Sequence, residues 1–242
     1  MMSMNRIHNV NVTNQPIYQE FCRKIAIHEA GHATAIYLNN KARNLVPVYF
    51  QMSIDLPHLH EGEDIHYLNY LNYQAKIEGG RLIQNLPAAH AQISNELSAT
   101  QKQAYENALE ADIINFLVGP LAEAKYIAKR DDELFNPRLV NFSALQYYGG
   151  LQDMEIVKDY LQCLCHSESS QTAKLNLLFL QAYEFVNQPQ HWRAITALAQ
   201  YVLNSRNRVI SYDEIVNRID HSIQQIDRSP FKSRTYLGLI AN

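Results

Sequence analysis

Apolar residues recur every three or four positions from about Tyr18 to Asn39, and Phe21, Ile25 and Ile36 fall on a single stripe. This spacing predicts a helix that begins just after Pro16 and stops at Asn39-Asn40. The pattern then changes. NLVPVYFQMSI (44–54) is rich in Val, Tyr, Phe and Ile and bounded by turn formers, which predicts one or two short strands. Pro47 cannot donate to a ladder, so these strands are expected near a sheet edge. DLPHLHEGEDIH (55–66) is polar and reads as a loop, and HYLNYLNYQAKIEGGRLIQNL as a helix running into a turn at Gly79-Gly80. A long helical region is expected from Ala91 to Arg130, interrupted at Gly119-Pro120 and ended by a loop at Asp131–Pro137. From Leu151 onward LQDMEIVKDYLQCLC, SSQTAKLNLLFLQAYEFV, HWRAITALAQYVLNS and ISYDEIVNRIDHSIQQI predict three or four more helices, the last capped by Ser211.

The expected class is therefore mainly α with a small β-sheet (α+β). Residues 1–15 read as a flexible tail and 16–242 as a single domain. Within that domain, 16–90 carries the first helix and the small strand region, and 91–242 is the helical part. Composition narrows the functional classes. A net charge of -3 with interspersed signs leaves no electrostatic footprint for nucleic acid or an anionic membrane. No apolar run reaches the roughly 18 residues of a membrane span, and the polar N-terminus lacks a secretory apolar core. Three cysteines do not make a disulfide framework, which points to a reducing, cytoplasmic setting.

The first helix carries a chemical anomaly. In IAIHEAGHATAIYL (25–38), His28 and His32 stand on the stripe of Phe21, Ile25 and Ile36, so both imidazoles are expected to point inward. A buried imidazole needs hydrogen-bond partners or a metal. Histidines four apart on one helical face present two nitrogens to one ion at about 2.0–2.1 Å. Glu29, turned about 100° from His28, is placed to take a proton from an activated water rather than to be a ligand. Ala30, Gly31 and Ala33 allow another element close to this helix, and mid-helix Gly31, disfavoured by roughly 1 kcal/mol against alanine, calls for a packing reason. The alternative is a structural histidine pair satisfied within the core.

A catalytic zinc ordinarily has three protein ligands and a water. On LQDMEIVKDYLQCL, Asp153 precedes Ile156, Val157, Tyr160 and Leu164 on an inward stripe, which suits a ligand and a first-turn helix aspartate equally. Resemblance adds to this. HEAGHA (28–33) resembles the peptidase domain of the FtsH-type ATP-dependent zinc proteases. So do FLVGPLAEAKY (116–126), YGGLQDMEIVKDYL (148–161) and HWRAITALAQYVLNSRNRVISYDEIVNRI (191–219). The resemblance implies a zincin-like helical metallopeptidase domain with Zn2+ as cofactor and Asp153 as third ligand. Glu123, at the Ala-Glu of that glycine-containing helix, lies near the core edge beside Leu117, Leu121 and Ala124 and is assigned the task of orienting a ligand histidine.

The chain departs from that family in two ways. It shows neither a Gly-x-x-x-x-Gly-Lys phosphate loop nor a spanning segment, so substrates are expected to be peptides or unfolded proteins, with a separate ATPase or adaptor as a further partner. The segment around KRDDELFNPRLVNF also lengthens the path from Glu123 to Asp153. Other polar clusters read more simply. His58, His60 and His66 with Glu61, Glu63 and Asp64 form a solvated loop. Cys163 and Cys165, two apart on a helix, make a poor chelate and leave one of them as core. Trp192 with Ile195 and Leu198 is core, and strand 44–54 offers an edge to an extended substrate. The function expected is zinc-dependent peptide hydrolysis with His28, His32 and Asp153 as ligands and Glu29 as base. The rivals are a non-catalytic zinc-binding interaction domain, a metal-free helical scaffold, and a hydrolase of non-peptide amides.

Overall fold

The computed structural model describes residues 3–8, 15–55, 73–79 and 98–224. The protein is mainly helical with one small antiparallel sheet. In chain order the elements are β1 (Ser3–His8), α1 (Gln15–Ala42), β2 (Phe50–Asp55), β3 (Tyr73–Gly79) and α2 (Ala99–Arg130). A 3-10 helix (Phe142–Tyr148) follows, then α3 (Leu151–Leu164), α4 (Glu168–Asn187), α5 (Pro189–Asn204), β4 (Val209–Ile210) and α6 (Tyr212–Gln224). Among these, α1 and α2 lie against each other at the centre. Helix α5 covers another side of α1, α4 covers α2, and α6 closes over α5.

Helix α1 runs past the expected stop at Asn39-Asn40. Both asparagines stay helical, and the chain turns only at Asn44, whose φ of 52° is left-handed. Leu45 N–H reaches Asn40 O (2.9 Å) and Asn44 N–H reaches Lys41 O (3.2 Å), the paired bonds of a left-handed helix stop. Helix α2 starts with a capping box, Ser98 and Gln101 satisfying each other's exposed backbone donors. It continues unbroken through Gly119 and Pro120, contrary to the expected interruption. The reason is packing. Gly31 of α1 and Gly119 of α2 meet, and a Cβ on Gly31 would stand 3.0 Å from both Ala122 Cβ and Val118 O. Burial along nearly every residue from Ile113 to Lys125 outweighs the roughly 3 kcal/mol a mid-helix proline costs.

The sheet order is β1-β3-β2-β4, antiparallel throughout. Phe50, Met52 and Ile54 of β2 and Ala75 and Ile77 of β3 are buried, while Gln51, Ser53, Lys76 and Glu78 take the other face. This corrects two expectations and the reason behind a third. Residues 73–79 are a strand, not part of a helix, because Gln74, Lys76 and Glu78 alternate with Ala75 and Ile77 at period two. Strand β2 does lie near the edge, one in from it beside two-residue β4, but not on account of Pro47, which lies before the strand and takes no part in its ladders. Within the supposed tail, Ser3–His8 pairs with β3 from Ser3↔Glu78 to His8↔Tyr73. That ladder rests on backbone groups, which leave no mark in a polar sequence.

All four helices expected after Leu151 are present. Ser211 caps the last: its Oγ accepts from the Glu214 backbone N–H at 3.4 Å, and its own backbone N–H donates to Glu214 Oε2 at 2.9 Å. Cys163 and Cys165 are both buried, as is Cys22, and Ile195 and Leu198 lie in the core with Trp192 half-buried against them. Among the described residues no helix is long and apolar enough to cross a membrane.

Candidate metal centre

The inward stripe of α1 forms as its spacing requires, and His28 and His32 are 2 % and 1 % exposed. Their rings meet edge to face, with centroids 4.8 Å apart. Each Nδ1 is held from outside. His28 Nδ1 lies 3.1 Å from Glu123 Oε2 and 3.2 Å from the Tyr148 carbonyl. His32 Nδ1 lies 2.8 Å from the Asn115 carbonyl. Carbonyl oxygens only accept, so Nδ1 of each ring carries a hydrogen and donates it. Each Nε2 is thereby left to face the same carboxylate. His28 Nε2 is 3.3 Å from Asp153 Oδ2, and His32 Nε2 is 3.4 Å from Asp153 Oδ1.

Asp153 arrives from the first turn of α3, and the turn before that helix brings it in. Gly149 takes a left-handed φ of 72°, a conformation glycine adopts without strain. A Cβ on Gly150 would come within 2.8 Å of Pro120 Cβ, so the turn passes directly over α2. The same passage lays the Tyr148 carbonyl on His28. The long segment between Glu123 and Asp153 thus supplies a contact to the site. Gly119 is the other enabling residue: a Cβ there would lie 2.2 Å from His32 Nε2.

Two imidazole lone pairs aimed at two carboxylate oxygens, all buried, repel unless a positive charge lies among them. A proton on the imidazoles supplies it, or a shared cation. Burial alone would raise the Asp153 carboxyl, but the His32 and His28 imidazoles beside it outweigh burial and hold it below the usual carboxylate range. One donor atom from each of His28, His32 and Asp153 lies within 4.8 Å of the others. Four ligands at about 2.0–2.2 Å around a tetrahedral metal ion stand about 3.3–3.6 Å apart. The two nitrogen–oxygen separations, each to a different oxygen of Asp153, fall in that range, and the donor set could hold a metal ion.

Of the sequence-predicted residues, His28, His32 and Asp153 converge, Glu123 holds His28, and Glu29 is buried beside them on α1. The cluster of His58, His60 and His66 with Glu61, Glu63 and Asp64 lies outside the described residues. Sequence reasoning missed Asn115, Gly119 and Tyr148. Asn115 is a lone amide between Ile113-Ile114 and Phe116-Leu117 on a buried face, a signal that could have marked it. Tyr148 acts through its backbone, where no side-chain pattern reports. No protein-family model matches the chain, and no curated protein or solved structure is significantly similar to it.

Proposed function

We propose that the protein is a zinc-dependent metallopeptidase in which His28, His32 and Asp153 hold the metal and Glu29 is the general base. One observation carries this reading: two Nε2 atoms meet one carboxylate at 3.3 and 3.4 Å, with Glu29 adjacent in the His-Glu-x-x-His order. A zinc ion bound there supplies Lewis acidity toward a water and a peptide carbonyl. The protein's own groups do the rest. Glu123 and the Tyr148 and Asn115 carbonyls keep both Nδ1 atoms protonated and both Nε2 atoms aimed inward. The Glu29 carboxylate accepts a proton from the attacking water and returns it to the departing amine. The likeness of HEAGHA, FLVGPLAEAKY and the Asp153 helix to FtsH-type peptidase domains supports this assignment and a zincin-like arrangement of the site. Peptides or loosely folded segments are the substrates it favours, with a separate ATPase as the partner for folded ones.

Glu29→Gln is the test. The variant is expected to bind zinc as the wild type does, by elemental mass spectrometry, and to lose about 10²–10⁴-fold in peptide hydrolysis. Undiminished cleavage removes Glu29 from the role of base. A second reading draws on burial. With His32 and Glu29 each 1 % exposed, the same ligands suit a non-catalytic zinc-binding interaction domain. A peptide-library digest that stays intact at full zinc occupancy selects that reading.

A further inference from the structure

His32 and Asn39 lie seven residues apart on α1, on the face that meets α2. His32 donates to the backbone carbonyl of Asn115, and Asn39 Nδ2 donates to the side-chain Oδ1 of that same residue at 3.1 Å. The Asn39 amide also reaches Ala111 O at 3.2 Å, one helical turn earlier on α2. Its oxygen accepts from Arg43 Nε at 3.1 Å, and the Arg43 guanidinium continues to Gln181 Oε1 at 2.8 Å and Glu110 Oε2 at 3.6 Å. Asn39 and Asn115 are both buried, at 8 % and 1 % exposure, so these bonds are shielded from water.

Two residues of α1 thus grip one residue of α2, one through its carbonyl and one through its amide. On the N-terminal side of His32, α1 is tied to α2 by His28 to Glu123 and by Glu20 to Tyr126 and Arg130; on the C-terminal side, Asn39 and Arg43 supply the directional bonds. Directional bonds from Asn39 to two successive turns of α2 fix how far along α1 the Asn115 carbonyl sits. The site is sensitive there, because Gly119, one turn past Asn115, leaves no spare room against His32 Nε2.

We propose that Asn39 is a positioning residue for the metal centre: by holding α2 to α1 at Ala111 and Asn115, it sets the Asn115 carbonyl that aims His32, and Arg43 holds Asn39 in turn. This inference rests on the metal-binding half of the proposed function and is independent of whether the site hydrolyses peptides. The test is a double-variant cycle on the full chain, read as the zinc dissociation constant from competition with a chromophoric chelator. Asn39→Leu is expected to weaken zinc binding about 10–100-fold, the range for losing the group that orients a ligand histidine. In a His32→Ala background the same change is expected to cost less than about twofold, because the ligand it positions is gone. The visible spectrum of the cobalt-loaded Asn39→Leu protein should differ from wild type, whereas a merely structural role would leave it unchanged. Asn39→Ser, whose hydroxyl ends short of Asn115, gives the same reading if the leucine variant does not fold.

An unchanged zinc affinity in Asn39→Leu, or an equal loss with and without His32, overturns the positioning role while leaving the metal site standing. Absence of zinc from the wild type overturns the metal site itself.

Discussion

Gly119 has no chemistry of its own, yet it decides whether His32 can point at Asp153. A Cβ on it would overlap the ring at 2.2 Å from Nε2 and 2.3 Å from Cε1. The imidazole cannot retreat without abandoning the Asn115 carbonyl. Gly119→Ala is therefore expected to cost about 1–3 kcal/mol of stability by overpacking and at least about tenfold in zinc affinity, measured by urea unfolding and chelator competition. Normal zinc affinity in that variant would show that His32 is not a ligand. At this scale the histidine pair was legible in the sequence, because a polar residue on an apolar stripe demands an explanation, and Glu29 was legible from its place in the His-Glu-x-x-His order. The glycine was legible only as a supposed helix breaker, since its meaning depends on what lies across the interface.

The buried charge of Lys125 illustrates how elements depend on one another. It stands on α2, but its Nζ donates to Val186 O and Asn187 Oδ1 at the end of α4, at 2.6 and 2.9 Å, below the Trp192 ring. A cation there complements the last carbonyls of α4. Burial, with a smaller contribution from the nearby Lys129 charge, lowers its pKa from about 10.5 to about 8. Between pH 8 and 10.5 the folded protein has released this proton while the unfolded chain still holds it, so the contribution of Lys125 to stability rises with pH across that window. Urea midpoints of wild type and Lys125→Met should therefore diverge in favour of wild type from pH 8 to 10.5; a constant difference refutes the assignment. The elements themselves were mostly readable. Helices α1 and α3–α6 follow from periodicity and caps, whereas β3 went unread because a short strand competes with an aromatic-rich run that also fits a helix.

For the whole molecule, the metal centre is a junction. Two of the candidate ligands come from α1 and one from α3, while the groups that orient them come from α2 and the 3-10 helix. A cation bound by that set stabilises only the folded state. At a thousandfold excess of zinc over its dissociation constant the gain is roughly 4 kcal/mol, or on the order of 10 °C in melting temperature for a chain of this size. Scanning calorimetry should show this rise in wild type, its reversal by a chelator, and no rise in the His28→Ala, His32→Ala variant. An identical rise in that variant places the metal elsewhere.

The sequence by itself determined that the protein is helical with a small sheet and that α1 carries two inward histidines beside a glutamate. It also determined that Asp153 opens a helix with its apolar stripe turned inward. These are properties of local spacing, which a helix converts directly into a face. Only the tertiary structure decided that Asp153 faces both Nε2 atoms, that Glu123 and Asn115 settle which imidazole nitrogen is bare, and that Gly119 and Gly150 make the room. Those facts depend on the axial register of α2 on α1 and on a turn passing over Pro120. The register arises from contacts between residues 72 to 95 positions apart and the turn from Gly150 lying on Pro120, 30 positions away, separations over which no periodicity in the chain keeps phase.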